Sequence, residues 1–162
     1  MTDPELDTLA RRVGEALAAR GLWLATAESC TGGWIAEAVT AIAGSSGWFD
    51  RGFVTYSNAA KADMLGVRDD TLDTHGAVSE ATVGEMAAGA LDQSRADLAV
   101  AVSGVAGPGG GSAAKPVGTV CLAWARRGAP TATTTVHLAG DRNAVRRQTV
   151  RLALQGVLER CA

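Results

Sequence analysis

The amino-acid sequence predicts an α/β fold: a three-layer α/β/α sandwich built on a mixed, mostly parallel sheet. Short apolar or β-branched runs alternate with segments of helical periodicity, the pattern of strands covered by helices. The run LAVAVS, 98–103, is apolar throughout, as a central strand packed on both faces must be. With 162 residues and neither an internal repeat nor a linker-like stretch, a single domain over 1–162 is expected.

The elements follow in order. Pro4 to Arg20 reads as a helix, with Leu6, Leu9, Val13 and Leu17 at helical spacing. Leu22 to Ala27 is a short buried strand. Gly32 to Ala43 is helical, and GSSG at 44–47 stops it. Gly52 to Tyr56 carries the β-branched and aromatic residues of a strand. Asn58 caps a short helix over Ala59 to Leu65, and Asp69 to Thr74 makes a further helical turn. Ser79 is the expected N-cap of a helix running to about Ser94, with Glu80 favourable in its first turn. After the central strand, GVAGPGGGSAAKPVG at 104–118 forms a glycine-rich loop. Val117 to Ala125 and Thr131 to Leu138 are strands joined through ARRGAP as a hairpin, hence antiparallel. Asp141 to Arg160 is the last helix, anchored by Val145, Leu152, Leu154 and Leu158.

Composition excludes several classes. Apolar residues at 47% and charged residues at 20% fit a globular protein. Fifteen basic against seventeen acidic residues give a net charge of −2, without the basic excess of a nucleic-acid binder. No apolar stretch is long enough to span a membrane, and MTDPELDTLARRV is acidic and amphipathic rather than a secretory signal. Cys30, Cys121 and Cys161 are an odd count with no metal-like spacing, so neither a disulfide framework nor a zinc site is expected, and a reducing cytoplasm is.

Scarce residues point to chemistry. Thirteen arginines stand against two lysines, Lys61 and Lys115, and Tyr56 is the single tyrosine. Arginine stays protonated, whereas lysine can lose its proton when buried. In FDRGFVTYSNAAK, Tyr56 falls at a strand end and Lys61 near position N3 of the next helix. The helix dipole costs a cation there only ~0.3–1 kcal/mol, under one pKa unit. Burial or a second cation must therefore supply the rest of any activation; an exposed lysine is the plainer alternative.

TAESCTGGW, 26–34, joins a strand ending near Glu28 to a helix beginning near Gly32. Backbone N–H groups at such a junction make a natural anion or oxyanion site. Gly32 permits close approach, and Ser29 and Thr31 can cap or touch a ligand; an ordinary capped turn is the alternative. Cys30 reads as a small buried filler. The glycine-rich loop offers Ser103, Gly104, Gly107, Gly109 and Gly110 at the carboxyl end of a strand, where open α/β sheets bind ligands. No G-K-[ST] opens a helix, so it is not a Walker A loop. Lys115, on an extended segment before Pro116, can meet a phosphate as a point charge. Arg142, behind the Asp141 cap, is a candidate clamp for phosphate or carboxylate, while Arg146 and Arg147 read as a solvated face. His75 reads as a loop hydrogen-bonder and His137 as a strand residue. The Tyr56–Lys61 spacing does not match short-chain dehydrogenases, and no G-x-G-x-x-G follows the first strand, which disfavours a nicotinamide-dependent oxidoreductase. With no histidine well placed, a serine enzyme here needs lysine as its base.

ESCTGGWIA, GSSGWFDRGFVTYSNAAK, LGV, HGAVSE, SGVAGPGGG, KPVGTV and GDR follow one another over residues 28–142. In that order they resemble the CinA C-terminal domain family, the nicotinamide-nucleotide amidohydrolases, and the flanking helices fit as well. The family also occurs fused behind a larger N-terminal domain, so this chain resembles the stand-alone form. The resemblance implies hydrolysis of the carboxamide of nicotinamide mononucleotide to nicotinic acid mononucleotide and ammonia, in pyridine-nucleotide recycling. It implies a homodimer acting on a small-molecule nucleotide without a metal; no cofactor is expected, and composition already points to the cytoplasm and away from nucleic acid and membrane. Its active-site group maps onto Ser29, Ser46, Tyr56, Lys61, Ser103 and Arg142. Ala113 and Ala114 depart from the polar or acidic residues often found before the KP of the loop, which touches loop contacts rather than chemistry.

An acyl-enzyme amidase is then expected. A serine attacks, Lys61 takes its proton, and Tyr56 relays a proton or orients Lys61. Backbone N–H groups hold the oxyanion, and the glycine-rich loop with Lys115 or Arg142 binds the 5′-phosphate. Either of two serines can be the nucleophile. Ser29 sits at a strand-to-helix turn, a good place for an exposed nucleophile. The resemblance tilts the choice slightly to Ser46, reaching Lys61 from across the site, with Ser29 then donating to substrate or oxyanion. Two other classes stand beside this one: a hydrolase of another phosphorylated ligand, and a non-enzymatic nucleotide-binding module. The only tyrosine lying five residues from one of two lysines favours an enzyme.

Overall fold

Five strands form one sheet in the order β2-β1-β3-β4-β5 in the computed structural model, which describes residues 3–162. β1 (Leu24–Glu28) pairs in parallel with β2 (Phe49–Val54) on one side and β3 (Leu98–Gly104) on the other. β4 (Thr119–Arg126) runs antiparallel to β3, and β5 (Ala132–His137) antiparallel to β4. Four of the five strands therefore point the same way, as the predicted mixed, mostly parallel sheet requires.

Helices cover both faces. α1 (Pro4–Arg20), α2 (Trp34–Thr40) and α6 (Arg142–Arg160) lie on one, and α3 (Asn58–Leu65), α4 (Asp69–His75) and α5 (Glu80–Asp92) on the other. The two faces differ in bulk. Leu24, Leu98, Val100, Val102, Val120, Leu122 and Trp124 point at α1, α2 and α6. Ala25, Ala27, Ala99, Ala101, Cys121, Ala123 and Ala125 point the other way, toward Val83, Met86, Ala87 and Ala90 of α5. Successive strand residues alternate between faces, so the pattern along these strands is large against small rather than apolar against polar.

Local chemistry sets the boundaries. Asp3 caps α1 by accepting from the N–H groups of Glu5 and Leu6, Pro4 stands in its first turn, and Gly21 ends it in the left-handed region at φ 63°. Ser79 and Asp141 cap α5 and α6 as expected. Four expectations shift. α2 starts two residues later and ends three earlier than expected, running from Trp34 to Thr40. β2 begins three residues earlier than expected, at Phe49, and ends at Val54. The α3 cap is Ser57, not Asn58, so Lys61 sits one position deeper than N3. The buried stripe of α6 runs through Val145, Val150, Ala153, Leu154 and Val157, leaving Leu152 and Leu158 at its margin. No described helix is long and apolar enough to cross a membrane.

Candidate active site

The connections around β1 create the site. The chain leaves β1 through α2 on one face to reach β2, then returns through α3, α4 and α5 on the other face to reach β3. β1 is thus a topological switch point, and the crevice beyond its carboxyl end is where such sheets take ligands. Ser29 is the first residue past that end. Its N–H donates to Val102 O of β3 at 3.1 Å, while Thr55 N–H, just past β2, donates to Glu28 O at 2.8 Å.

Lys61 comes into this crevice from α3 and is 1% exposed. Its Nζ lies 2.9 Å from Ser29 Oγ, 2.8 Å from Thr55 O and 3.2 Å from Tyr56 O. No carboxylate pairs with it among the described residues. Burial lowers its pKa below the ordinary lysine value. A neutral amine has two N–H donors and one lone pair. Nζ donates to both carbonyls and to Ser29 Oγ, which itself donates to Tyr56 O at 3.5 Å. Once the amine is neutral, its two N–H groups still serve the carbonyls and its lone pair is free for the Ser29 hydroxyl. This is the geometry of a serine activated by a lysine base.

The Ser29–Thr31 turn is held from both sides. The buried Glu28 carboxylate accepts from Thr31 Oγ1, from Ile35 N at 2.9 Å and from Ala36 N at 3.0 Å. The anion expected at the start of α2 is therefore the chain's own Glu28, and the helix end is closed to a ligand. Gly32 donates to Ser29 O at 3.0 Å and helps form the turn. Arg146, expected on a solvated face, instead donates to Cys30 O and Thr31 O. Cys30 is 6% exposed, and burial pushes its thiol up to about 11, so it stays protonated at neutral pH.

One cleft of about 300 Å³ brings together Ser29, Lys61, Ser103 and the glycine-rich loop, with Tyr56 and Arg142 at its margin. Gly104, Gly107, Gly109 and Gly110 all line it. A Cβ on Gly104 would meet Val120 Cγ2 at 2.7 Å, so the chain needs glycine where it enters the loop. Arg142 donates to Gly107 O at 2.7 Å and to Tyr56 Oη at 3.2 Å, tying the first turn of α6 to the loop.

Several expected site residues fall elsewhere. Ser46 is exposed, in a short 3-10 turn (Ser45–Gly47) ahead of β2. Leu24 N–H donates to Trp48 O, so that turn sits at the amino end of β1 and β2, and the Lys61 crevice is at their carboxyl end. A six-residue strand separates the two, roughly 20 Å. Ser46 thus does not reach Lys61 within this chain, and Ser29 does. The exposed Tyr56 meets Lys61 through its carbonyl, while its phenol contacts Arg142, so the phenol is not placed as a proton relay. Lys115 Nζ donates to His75 O at the end of α4 and fastens the far end of the glycine-rich loop there. Thr31 is fully buried and serves the turn through Glu28.

Comparison with known proteins bears on the same chain length. The CinA C-terminal domain family matches residues 6–161. A protein named nicotinamide-nucleotide amidohydrolase PncC, from Escherichia coli strain K12, is 61% identical over 155 residues, covering 96% of this chain and 94% of that one. A protein of the same name from Pseudomonas putida is 55% identical over 157 residues, covering 97% of each. The crystal structure of a competence/damage inducible protein from Agrobacterium tumefaciens superposes with a TM-score of 0.96 at 51% identity, covering 98% of this chain and 97% of that one. On this evidence the chain belongs to the CinA C-terminal domain family.

Proposed function

We propose that the protein hydrolyses the carboxamide of nicotinamide mononucleotide, giving nicotinic acid mononucleotide and ammonia, with Ser29 as nucleophile and Lys61 as base. The observation that carries this is the buried Lys61 Nζ, 2.9 Å from Ser29 Oγ, its other two partners being backbone carbonyls. A site that only binds nucleotide has no use for such a buried pair. The names of relatives that match this chain almost end to end support the substrate.

Ser29 Oγ attacks the carboxamide carbon as its proton passes to the Lys61 lone pair. The carbonyl oxygen becomes an oxyanion in front of the turn. Lys61 then returns the proton to the departing ammonia, leaving an ester on Ser29. Water, giving a proton to the same amine, attacks the ester carbon; the Ser29 Oγ–C bond breaks, Lys61 returns the proton to Oγ, and the acid leaves. Arg142 uses one donor on Gly107 O and one on Tyr56 Oη, so its guanidinium has further donors for the 5′-phosphate. Free N–H groups of the glycine-rich loop complete that end of the site. The protein works as a cytoplasmic homodimer without metal or cofactor.

Ammonia release from nicotinamide mononucleotide tests this. Turnover by wild type, lost in Lys61→Ala with the fold intact, is the expected result. A pure, folded wild type that releases no ammonia removes the assignment.

A further inference from the structure

Arg146 approaches the Ser29 turn from the layer opposite Lys61. Its Nε donates to Cys30 O at 3.0 Å and its Nη2 to Thr31 O at 3.1 Å. Its guanidinium lies 5.5 Å from the Trp34 ring centroid, a cation–π contact that helps fix it. The carbonyl of the peptide joining Cys30 to Thr31 therefore points at α6. Cys30 lines the cleft beside Ser29, whereas Thr31 is fully buried behind it. The N–H groups of Cys30, Thr31 and Gly33 have no hydrogen-bond partner among the described residues, and of the three only Cys30 lines the cleft. Gly32 N–H is spent on Ser29 O, Trp34 N–H on Thr31 O, and those of Ile35 and Ala36 on Glu28.

We propose that Arg146 is a positioning residue of the active site: by gripping the Cys30 and Thr31 carbonyls it fixes the turn that presents the Cys30 N–H, in the cleft, to the oxyanion formed when Ser29 attacks. This rests on the assignment of Ser29 as nucleophile, and not on which carboxamide or ester it attacks. As the Ser29 Oγ–C bond forms, the carbonyl π pair moves onto oxygen and the hydroxyl proton moves to Lys61 Nζ. The negative charge then lies before a donor that cannot swing away.

The test follows acylation of Ser29 by 4-nitrophenyl acetate, a probe that forms the same kind of oxyanion and releases 4-nitrophenolate. Ammonia release from nicotinamide mononucleotide is measured beside it. Wild type, Arg146→Ala and Arg146→Lys are compared, with thermal unfolding of each. Removing an oxyanion donor outright costs 10²–10³-fold in rate; Arg146→Ala, which only frees the donor, is expected to slow acylation roughly 10- to 100-fold. KM should hardly move. The acid limb of the rate profile should stay in place, because Lys61 keeps its own contacts. Added guanidinium should restore part of the rate, and Arg146→Lys, with charge but no fork, should fall between.

Wild-type acylation in Arg146→Ala overturns the proposal. So does a loss that comes with a displaced acid limb and no guanidinium rescue, since that marks collapse of the turn. If Arg146→Ala does not fold, Arg146→Lys decides: wild-type acylation in it overturns the proposal, and a slowed rate with unmoved KM supports it. A wild type silent on the nucleotide but acylated by the ester leaves Arg146 its role and removes the substrate assignment. A wild type acylated by neither removes both.

Discussion

Lys61 Nζ and Ser29 Oγ meet at 2.9 Å from positions thirty-two residues apart in the chain. One side chain belongs to a helix in the outer layer, the other to the turn that ends a central strand. Neither is solvated: Ser29 is 7% exposed and Lys61 1%. The pair exists only because β1 and β2 are parallel neighbours whose carboxyl ends share one edge.

The first prediction separates the two serines. Ser29→Ala is expected to lower ammonia release at least ~10³-fold, in line with loss of a covalent nucleophile. Ser46→Ala, altering an exposed hydroxyl at the far end of the sheet, should keep most of the rate. Equal damage from both, by steady-state kinetics, would restore Ser46 to the chemistry.

The second concerns pH. The neutral amine is the active form, and burial lowers the Lys61 pKa from 10.5. kcat/KM should therefore rise with pH to a plateau, with its inflection below 10.5. Lys61→Arg should show no such limb and no turnover, because guanidinium keeps its proton. Stability follows the same sign. Between the folded pKa and the unfolded one the unfolded chain binds more protons, so stability should climb with pH across that window. A flat rate profile would remove Lys61 as the base.

The third links packing to catalysis. A Cβ on Gly89 of α5 would lie 1.9 Å from Leu65 O, the last residue of α3. Backbone cannot yield as a side-chain tip can. Gly89→Ala should cost about 1–3 kcal/mol of stability and displace the helix that carries Lys61. Chemical denaturation reads the first effect and a fall in kcat the second. A stable variant with full kcat would show that α3 is not seated against α5 in this way.

The fourth tests the self-capping carboxylate. Glu28→Gln keeps one carbonyl oxygen where two oxygens now serve three donors. At least one donor should be left buried and unpaired, costing about 1–3 kcal/mol. The midpoint of unfolding should drop accordingly; an unchanged midpoint would mean that water replaces the carboxylate there.

Much of this was legible in the sequence. α1, α5 and α6 announce themselves through caps and periodicity, and LAVAVS could only be a doubly covered strand. The start of β2 is hidden in the sequence because Asp50 and Arg51 interrupt its apolar pattern. Asp50 there is engaged by Arg95 N–H, a contact from a distant part of the chain. Ser46 stands away from Lys61 because β2 carries the chain across the whole sheet between them, a separation that their proximity in sequence conceals. Arg146 looked like an ordinary member of an arginine-rich helix, since its target, two backbone carbonyls, leaves no mark in the sequence. Glu28 did carry a signal: a carboxylate ending an apolar strand just before a helix can close that helix end itself.

The alanine-lined side of the sheet also bears on engineering. Enlarging Ala99, Ala101 or Ala123 would lift α5, and with it the α3 segment seated against Gly89. A thermostabilisation library that fills space on that side therefore risks variants that melt higher and turn over slower. Diversity is better spent beneath α1 and α6, where bulky side chains already set the spacing and Lys61 has no stake.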